Sequence, residues 1–339
     1  MNYPESKLIL EEIKKAKKIL INCHKGPDPD SVGSALATYE VLKVYFQKDV
    51  TVICPDDLPS TTLFLEKRLT ESLVFEKVDF DKFNLSKYDL LIALDSSSWD
   101  MVRGGGNNQE LNIRTVVVDH HPTNKRYGTI NLVDEVISST AELLYFIFND
   151  WGIDPDIEFG YPYFQKSLLT GILSDTGCLK YTNVDAKTMS VVADLMRFVD
   201  KNEVIFNLYQ NNSISSLQVT GELLSKITLD KEHKFVYSVL SYSEYKKYSS
   251  EDEAKDIVSG NFIQSVENTD FGFVAVEEKP RELSISFRSR TDFDSSKIAV
   301  ELGGGGHIVA SGAKIRDTFF NEAVEKVLEV CRRYAKKDS

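Results

Sequence analysis

The sequence predicts an α/β protein in two parts: an N-terminal domain on a mostly parallel sheet with helices on both faces, and a smaller C-terminal α/β domain. Three observations predict it. Short apolar runs alternate with helical patterns through the first half of the chain, as the βαβ units of a parallel sheet do. Several of those runs stop abruptly on acids or imidazoles, and the carboxyl ends of strands are where open α/β sheets place their chemistry. Beyond Asp230 the pattern changes to strand-like runs of a second sheet. At 339 residues the chain is long for one core and comfortable for two. The expected boundaries are 1–198 for the first domain, 199–228 for a helical linker and 229–339 for the second domain.

Residues 5 to 17 read as an amphipathic helix feeding the strand Ile19-Leu20-Ile21-Asn22-Cys23. His24-Lys25-Gly26-Pro27-Asp28-Pro29-Asp30 follows, a loop in which two prolines oppose a helix; Ser31 to Ala37 then opens a helix of small residues. Val50 to Cys54 is the next strand, with a helix expected near Ser60 to Arg68. Leu90-Leu91-Ile92-Ala93-Leu94 ends on Asp95, and Gly104-Gly105-Gly106 reads as a flexible surface connection. Val116-Val117-Val118 suits a strand covered on both faces and ends on Asp119-His120-His121. A short strand is expected at Thr129 to Val133. Ser139-Thr140-Ala141-Glu142 carries the Ser/Thr-then-Glu pattern of a helix start. The long helix through Phe164 to Leu173 terminates at Ser174-Asp175-Thr176-Gly177, and helical patterns continue from Asp185 to about Ile227. Phe235 to Leu240, Phe271 to Val276 and Leu283 to Arg290 read as strands of the second sheet. Gly303-Gly304-Gly305-Gly306-His307, a short apolar stretch and a helix from Asn321 to Tyr334 complete the chain.

Composition excludes several classes. A net charge of −12 opposes a long electrostatic footprint on duplex nucleic acid, so an anionic substrate must be met locally. The chain has no apolar stretch of the roughly 20 residues that spans a bilayer, and Glu5, Glu11 and Glu12 stand where a signal peptide would have its core, so a cytoplasmic location is expected. Cys23, Cys54, Cys178 and Cys331 are far apart with no Cys-x-x-Cys pair, which favours free thiols over disulfides.

Of five histidines, His24, His120, His121 and His307 fall at strand ends or in the glycine-rich segment, leaving His233 as an ordinary surface residue. In order and spacing, His24, Asp28, Asp30, Asp95, Asp119-His120-His121 and Asp175 resemble the DHH phosphoesterase superfamily. Gly303 to His307 resembles the DHHA1 domain found with it. The resemblance spans nearly the whole chain. It is strongest to the branch of oligoribonucleases (nanoRNases) and pAp phosphatases, with relatives that cut cyclic-di-AMP or linear pApA. Many relatives carry Gly between the two loop aspartates where this chain has Pro29, which stiffens the loop and leaves both acids in place.

The resemblance implies two divalent ions. His24, Asp28 and Asp95 would hold one, and Asp30, Asp95, His120 and Asp175 the other, with Asp95 as the bridge. Asp119 would orient a ligand imidazole, and His121 would face the substrate phosphate. Gly304, Gly305, Gly306 and His307 would form a phosphate-binding loop, with Arg288, or alternatively Arg290, on the terminal phosphate. Independently of the name, four aspartates supply about four negative charges, enough for two divalent cations, and mixed carboxylate and imidazole ligands suit Mn2+, with Mg2+ or Co2+ as alternatives.

The function so implied is a manganese-dependent phosphodiesterase and phosphatase, cutting short oligoribonucleotides such as pApA to mononucleotides and pAp to AMP by a metal-activated water. A cyclic-di-AMP phosphodiesterase and a RecJ-like single-strand exonuclease are the alternatives within the class, and a nucleotide-binding sensor is the one outside it. A RecJ-like enzyme would be expected to carry a further basic nucleic-acid-binding domain. A manganese pyrophosphatase would lack the Gly303 to His307 loop. Partners are expected to be short RNA oligonucleotides or nucleotide phosphates, not long duplexes or membranes, and relatives suggest a homodimer.

Overall fold

The strands of the first unit form where β-branched and leucine-rich runs can be covered on both faces, and the connections between them are long enough to hold helices. A computed structural model describes residues 3–66, 75–105, 110–153, 163–248, 253–306 and 308–335. The chain divides into two units, Met1–Asn211 and Asn212–Ser339.

In the first unit α1 (Pro4–Lys15) has proline in its first turn and Lys14 and Lys15 in its last, as the helix dipole favours. It leads into β1 (Lys18–Asn22). Helix α2 (Pro29–Glu40) starts earlier than expected: Asp28 is its N-cap and accepts from Ser31 N, and Pro29 takes the first turn, where its missing N–H costs nothing. Asp30 is therefore on a helix rather than in a loop. A wide turn, Val41–Tyr45, leads to β2 (Asp49–Cys54). The helix expected at Ser60 to Arg68 is a tight turn, Ser60–Thr62, followed by α3 (Leu63–Glu66); Arg68 lies outside the described residues. Then come β3 (Phe75–Lys77), β4 (Leu90–Leu94) and α4 (Trp99–Arg103), capped by Gly104 at φ +91°. Gly106 lies outside the described residues. Strands β5 (Thr115–Asp119) and β6 (Ile130–Val133) are followed by α5 (Thr140–Asp150), α6 (Tyr163–Asp175), α7 (Ala186–Leu195), α8 (Lys201–Ile205) and a wide turn at Phe206–Gln210.

The sheet has the order β3-β2-β1-β4-β5-β6, and every pair in it is parallel. The chain winds outward from β1 through β2 and β3, then restarts on the other side of β1 with β4. The gap between the carboxyl ends of β1 and β4 is thus the topological switch point, the crevice where such sheets bind ligands. Alternate residues fill two cores: Ile19, Ile21, Ile92, Leu94, Val116 and Val118 face one layer, while Leu20, Leu91, Ala93 and Val117 face Trp99 and Val102. Helices α2 and α6 cross closely because two glycines face the contact. A Cβ on Gly33 would lie 2.3 Å from the Ser167 carbonyl oxygen, and one on Gly171 would lie 2.4 Å from the Asp30 carboxylate.

The second unit begins with α9 (Ile214–Ser225) and β7 (Thr228–Asp230), then β8 (Phe235–Leu240), α10 (Tyr242–Tyr245), α11 (Glu253–Asn261), β9 (Phe271–Lys279) and β10 (Glu282–Ser289). It ends with α12 (Ser295–Glu301), β11 (Gly305–Gly306), β12 (Ala310–Arg316) and α13 (Phe320–Ala335). Its sheet runs β11-β12-β10-β9-β8-β7, with only β8 and β9 parallel. One face packs Phe235, Phe271, Phe273 and Phe287 against α12 and α13 residues, and the other packs Val236, Val274 and Val276 against α9 and α11 residues.

Three expectations are corrected here. The segment expected as a linker, 199–228, is divided: residues through Asn211 belong to the first unit, and α9 packs on β8 and α11 in the second. The sheet gains β12, whose Ser, Gly and Lys residues hide it in the sequence. His233 is not an ordinary surface residue. Its side chain is only 8% exposed and its Nδ1 bonds Asp230 Oδ1 at 2.9 Å, while Asp230 Oδ2 accepts from Arg332 Nε at 3.0 Å.

The α2–α6 crossing makes a direct prediction. Gly33→Ala should destabilise the protein by about 1–3 kcal/mol, the usual cost of overpacking, seen as a lower urea midpoint at unchanged m-value; an unchanged midpoint would mean the helices separate freely.

Candidate metal centre

Five element ends deliver polar side chains to the switch point. His24 follows β1 and is 5% exposed; Asp95 follows β4 and is 1% exposed; Asp119 ends β5 and is fully buried, with His120 next at 5%. Asp28 and Asp30 come from the start of α2, and Asp175 is the last residue of α6. Asp95 sits at φ +53°, in the left-handed region that residues with a Cβ seldom adopt. That turn directs its carboxylate into the crevice rather than along the strand.

The side chains converge. His24 Nε2 lies 3.5 Å from Asp28 Oδ2 and 3.4 Å from Asp95 Oδ2. His120 Nε2 lies 3.5 Å from Asp95 Oδ1 and 3.2 Å from Asp175 Oδ2. Three sets have ligand atoms within 4.8 Å of one another: His24, Asp28 and Asp95; Asp30, His120 and Asp175; and Asp95, His120 and His121. Asp95 thus turns one oxygen to each side.

The ring orientations suit ligation. A carbonyl can only accept, so His24 Nδ1 donates to the Lys25 carbonyl at 2.8 Å and, in the neutral ring, Nε2 carries the lone pair. His120 Nδ1 faces the Ile137 carbonyl at 3.4 Å in the same sense. Asp95 Oδ2 is buried and has no hydrogen-bond partner among the described residues. A buried carboxylate oxygen left so is costly unless a cation meets it, and this atom, with the oxygen and nitrogen donors around it, fits a divalent metal.

Asp119 holds His121 rather than His120. Its Oδ1 accepts from His121 Nδ1 at 2.7 Å and from the His120 and His121 backbone N–H groups, and its Oδ2 accepts from Asn124 Nδ2 at 2.5 Å. The Asp-His-His run turns sharply enough that the acid reaches the second ring.

Several contributors have no motif in the sequence. Asn124 also donates to the Ser96 carbonyl at 3.1 Å. Asn183 Nδ2 donates to the carbonyls of Ser138 and Asp175 at 3.1 and 3.2 Å. At the start of α5, the N–H groups of Thr140 and Ala141 donate to the two oxygens of Asp30 at 2.7 and 2.9 Å, and Thr140 Oγ1 donates to Asp95 Oδ1 at 2.9 Å. Beyond Asp175, the chain reverses through Gly177, Cys178 and Leu179, all left-handed at φ 54°, 60° and 66°. Leu179 N bonds Thr176 Oγ1 at 3.1 Å and Cys178 N bonds the Leu173 carbonyl at 2.7 Å, so α6 stops where Asp175 faces the crevice. Only Gly177 marked that turn in the sequence.

The charges are under tension. Burial, with Asp95 and Asp175 beside it, pushes Asp30 well above the carboxylate range. Burial pushes Asp175 up to about 6, with His120 opposing and Asp28 and Asp95 adding to the rise. Burial opposes protonation of His24 and His120, but the surrounding aspartates outweigh it and raise both. Burial alone would raise Asp119; the His121 and Asn124 hydrogen bonds outweigh it and hold it at about 2.

In the second unit, the glycine run has a steric reason of its own. Gly303 takes φ +83°, Gly305 and Gly306 pair with Gly312 and Ser311, and a Cβ on Gly304 would meet the Gly312 carbonyl oxygen at 2.0 Å. Arg288 Nη1 donates to the Phe287 carbonyl at 2.9 Å, and its buried Nε has no acceptor among the described residues. Arg290 Nη1 donates to the Thr269 carbonyl at 3.4 Å. His307 lies outside the described residues.

The model of the DHH family N-terminal domain matches residues 18–174, and that of the DHHA1 domain matches residues 232–337. The chain belongs to the DHH/DHHA1 family. Within the family, it is 29% identical over 334 residues to the bifunctional oligoribonuclease and PAP phosphatase NrnA of Thermus thermophilus, covering 97% of this chain and 94% of that one. It is 23% identical to the protein of the same name from Bacillus subtilis, covering 88% and 89%. The crystal structure of an exopolyphosphatase-related protein from Bacteroides fragilis shares the fold, with a TM-score of 0.82, 24% identity and coverage of 98% and 96%. As a DHH/DHHA1 protein the chain is a metal-dependent phosphoesterase, a hydrolase.

The raised groups predict a pH dependence. Asp175 binds its proton more tightly folded than unfolded, so its contribution stabilises the metal-free protein in acid and is lost as pH rises from 3.8 through about 6. The raised histidines act in the same direction. In EDTA, the stability of wild type relative to Asp175→Asn should therefore fall across that window by up to about 3 kcal/mol, at about 1.4 kcal/mol per pKa unit. Urea melts at several pH values check it, and a difference constant with pH contradicts it.

Proposed function

We propose that this chain hydrolyses short oligoribonucleotides such as pApA to mononucleotides, and pAp to AMP, with Mn2+ as the working metal. The observation that carries the reading is that Asp95 turns Oδ2 to His24 at 3.4 Å and Oδ1 to His120 at 3.5 Å, and so lies between the His24, Asp28 group and the Asp30, His120, Asp175 group. His24, Asp28 and Asp95 would hold one ion and Asp30, Asp95, His120 and Asp175 the other. When bound, two such ions supply a nucleophilic water at neutral pH and neutralise charge at phosphorus.

The protein's own groups do the rest. His121 has its Nδ1 engaged by Asp119, and although burial opposes it, that carboxylate keeps the ring's proton affinity raised. A hydrogen bond to a phosphate oxygen would then come from Nε2, donated to the charge that grows in the transition state. The ring is 19% exposed, so a substrate can reach it, while the Asp119 side chain behind it is fully buried. Asp119 thus acts as the positioning group for His121. In the second unit, Arg288 and Gly304 to Gly306 remain our candidates for binding a nucleotide phosphate, as does His307, which lies outside the described residues. Support for the substrate class comes from the relatives named oligoribonuclease and PAP phosphatase, which align with this chain over nearly their whole length. A protein named cyclic-di-AMP phosphodiesterase PdeA, from Listeria monocytogenes, also aligns with 98% of this chain, at 21% identity, but this chain spans 50% of it. Cyclic-di-AMP is therefore the second substrate to assay.

Two measurements test the reading. Product analysis with pApA, a longer oligoribonucleotide, pAp, cyclic-di-AMP and pyrophosphate, in Mn2+ and in Mg2+, should give AMP from pApA and pAp; turnover of pyrophosphate alone overturns the nucleotide assignment. His120→Ala should lose bound metal, whereas His121→Ala should keep it and lose about 10²- to 10⁴-fold in kcat. Equal metal loss in both variants would contradict the division of roles.

A further inference from the structure

We infer that Thr140, the first residue of α5, is a positioning residue that makes Asp95 a bridging rather than a chelating carboxylate. The inference rests on the metal-centre reading above. Thr140 is completely buried, and its Oγ1 donates to Asp95 Oδ1 at 2.9 Å. That oxygen is the one facing His120, at 3.5 Å. Oδ2, facing His24, has no hydrogen-bond partner among the described residues.

The two oxygens of Asp95 are thus made unequal by one neutral hydroxyl. A carboxylate oxygen offers two lone-pair directions, and the hydroxyl occupies one on Oδ1. The direction left on Oδ1 and those on Oδ2 then serve opposite sides of the group, which is what a bridge between two ions needs. Without the hydroxyl, the carboxylate can rotate about its last torsion, a broad two-fold one, and present both oxygens to a single ion. The backbone at Asp95 does not prevent this, since its left-handed φ of +53° sets the position of Cβ and not the plane of the carboxylate.

The same residue reaches Asp30 by a different group. Its backbone N–H, with that of Ala141, clamps the Asp30 carboxylate. A side-chain substitution at Thr140 leaves those donors in place, so its effect falls on Asp95. Helix α5 is further held by the Ser139 cap on Glu142 N at 3.0 Å, independent of the Thr140 hydroxyl. The hydroxyl's task is therefore separable from helix formation.

The test is a titration of the full-length protein with MnCl2, followed by calorimetry and by the electron paramagnetic resonance signal of an exchange-coupled ion pair. In Thr140→Val, nearly the same shape without the donor, the second equivalent should bind at least about tenfold more weakly, the loss expected of one hydrogen bond to a charged group. The coupled signal should fade while the first equivalent is retained, and Thr140→Ser should restore both. Should Val not fit, Thr140→Ala repeats the comparison with a smaller side chain, and melting in EDTA shows whether either variant is folded. Two equivalents that bind Thr140→Val as tightly as wild type, or more tightly, with an unchanged coupled signal, overturn the role of Thr140 alone. A wild-type protein that binds no pair of ions overturns it together with the metal-centre reading.

Discussion

Mutual repulsion among Asp28, Asp30, Asp95 and Asp175, gathered at one edge of the first sheet, is the constraint around which that unit is arranged. Burial penalises the charge on Asp30 and Asp175 and neighbouring acids penalise it further, whereas for Asp28 the His24 imidazole outweighs burial and holds the carboxyl below its usual range. The fold answers with fixed donors: the start of α5 gives two N–H groups to Asp30 and a hydroxyl to Asp95, and the start of α2 gives Ser31 N to Asp28. Helix N-termini carry partial positive charge, so two of them aimed at acids lower the cost of collecting the acids. The charge that remains is what the proposed pair of divalent cations would balance, and the imidazoles of His24 and His120 would complete the set without adding to it.

The close packing of the same unit serves the same end. Gly171 leaves the space that the Asp30 carboxylate fills, and Gly33 lets α2 lie against α6, which carries Asp175. Left-handed backbone occurs here as well, at Asp95 and in the turn through Gly177, Cys178 and Leu179. Such conformations persist only where the surroundings over-determine them. In this unit the surroundings are the buried strands β1, β4 and β5 and the hydrogen bonds of Thr176.

Much of this was legible in the sequence because strand ends are adjacent in sequence to what they deliver. An apolar run followed at once by His24, Asp95 or Asp119 places those side chains at the sheet edge whatever the rest of the fold does, and the alternation of strand and helix implied a parallel sheet. What was not legible depended on distance or on weak patterning. The contact of Thr140 with Asp30 spans 110 positions, and Ser138-Ser139-Thr140 read only as a helix start. The choice of His121 over His120 as the partner of Asp119 depends on how the turn after β5 bends, which no residue type announces. Strand β12 was hidden because Ala310-Ser311-Gly312-Ala313-Lys314 alternates burial without apolar bulk. The expected linker failed because helical periodicity does not tell which core a helix packs on.

In the proposed centre one carboxylate, Asp95, joins two metal-binding sets. The most direct test is to measure manganese per chain by elemental analysis after gel filtration, alongside AMP released from pApA, for wild type and Asp95→Asn. The account predicts two ions and AMP for wild type, with both metal and product lost in the variant. Two ions and undiminished AMP release in Asp95→Asn would contradict it.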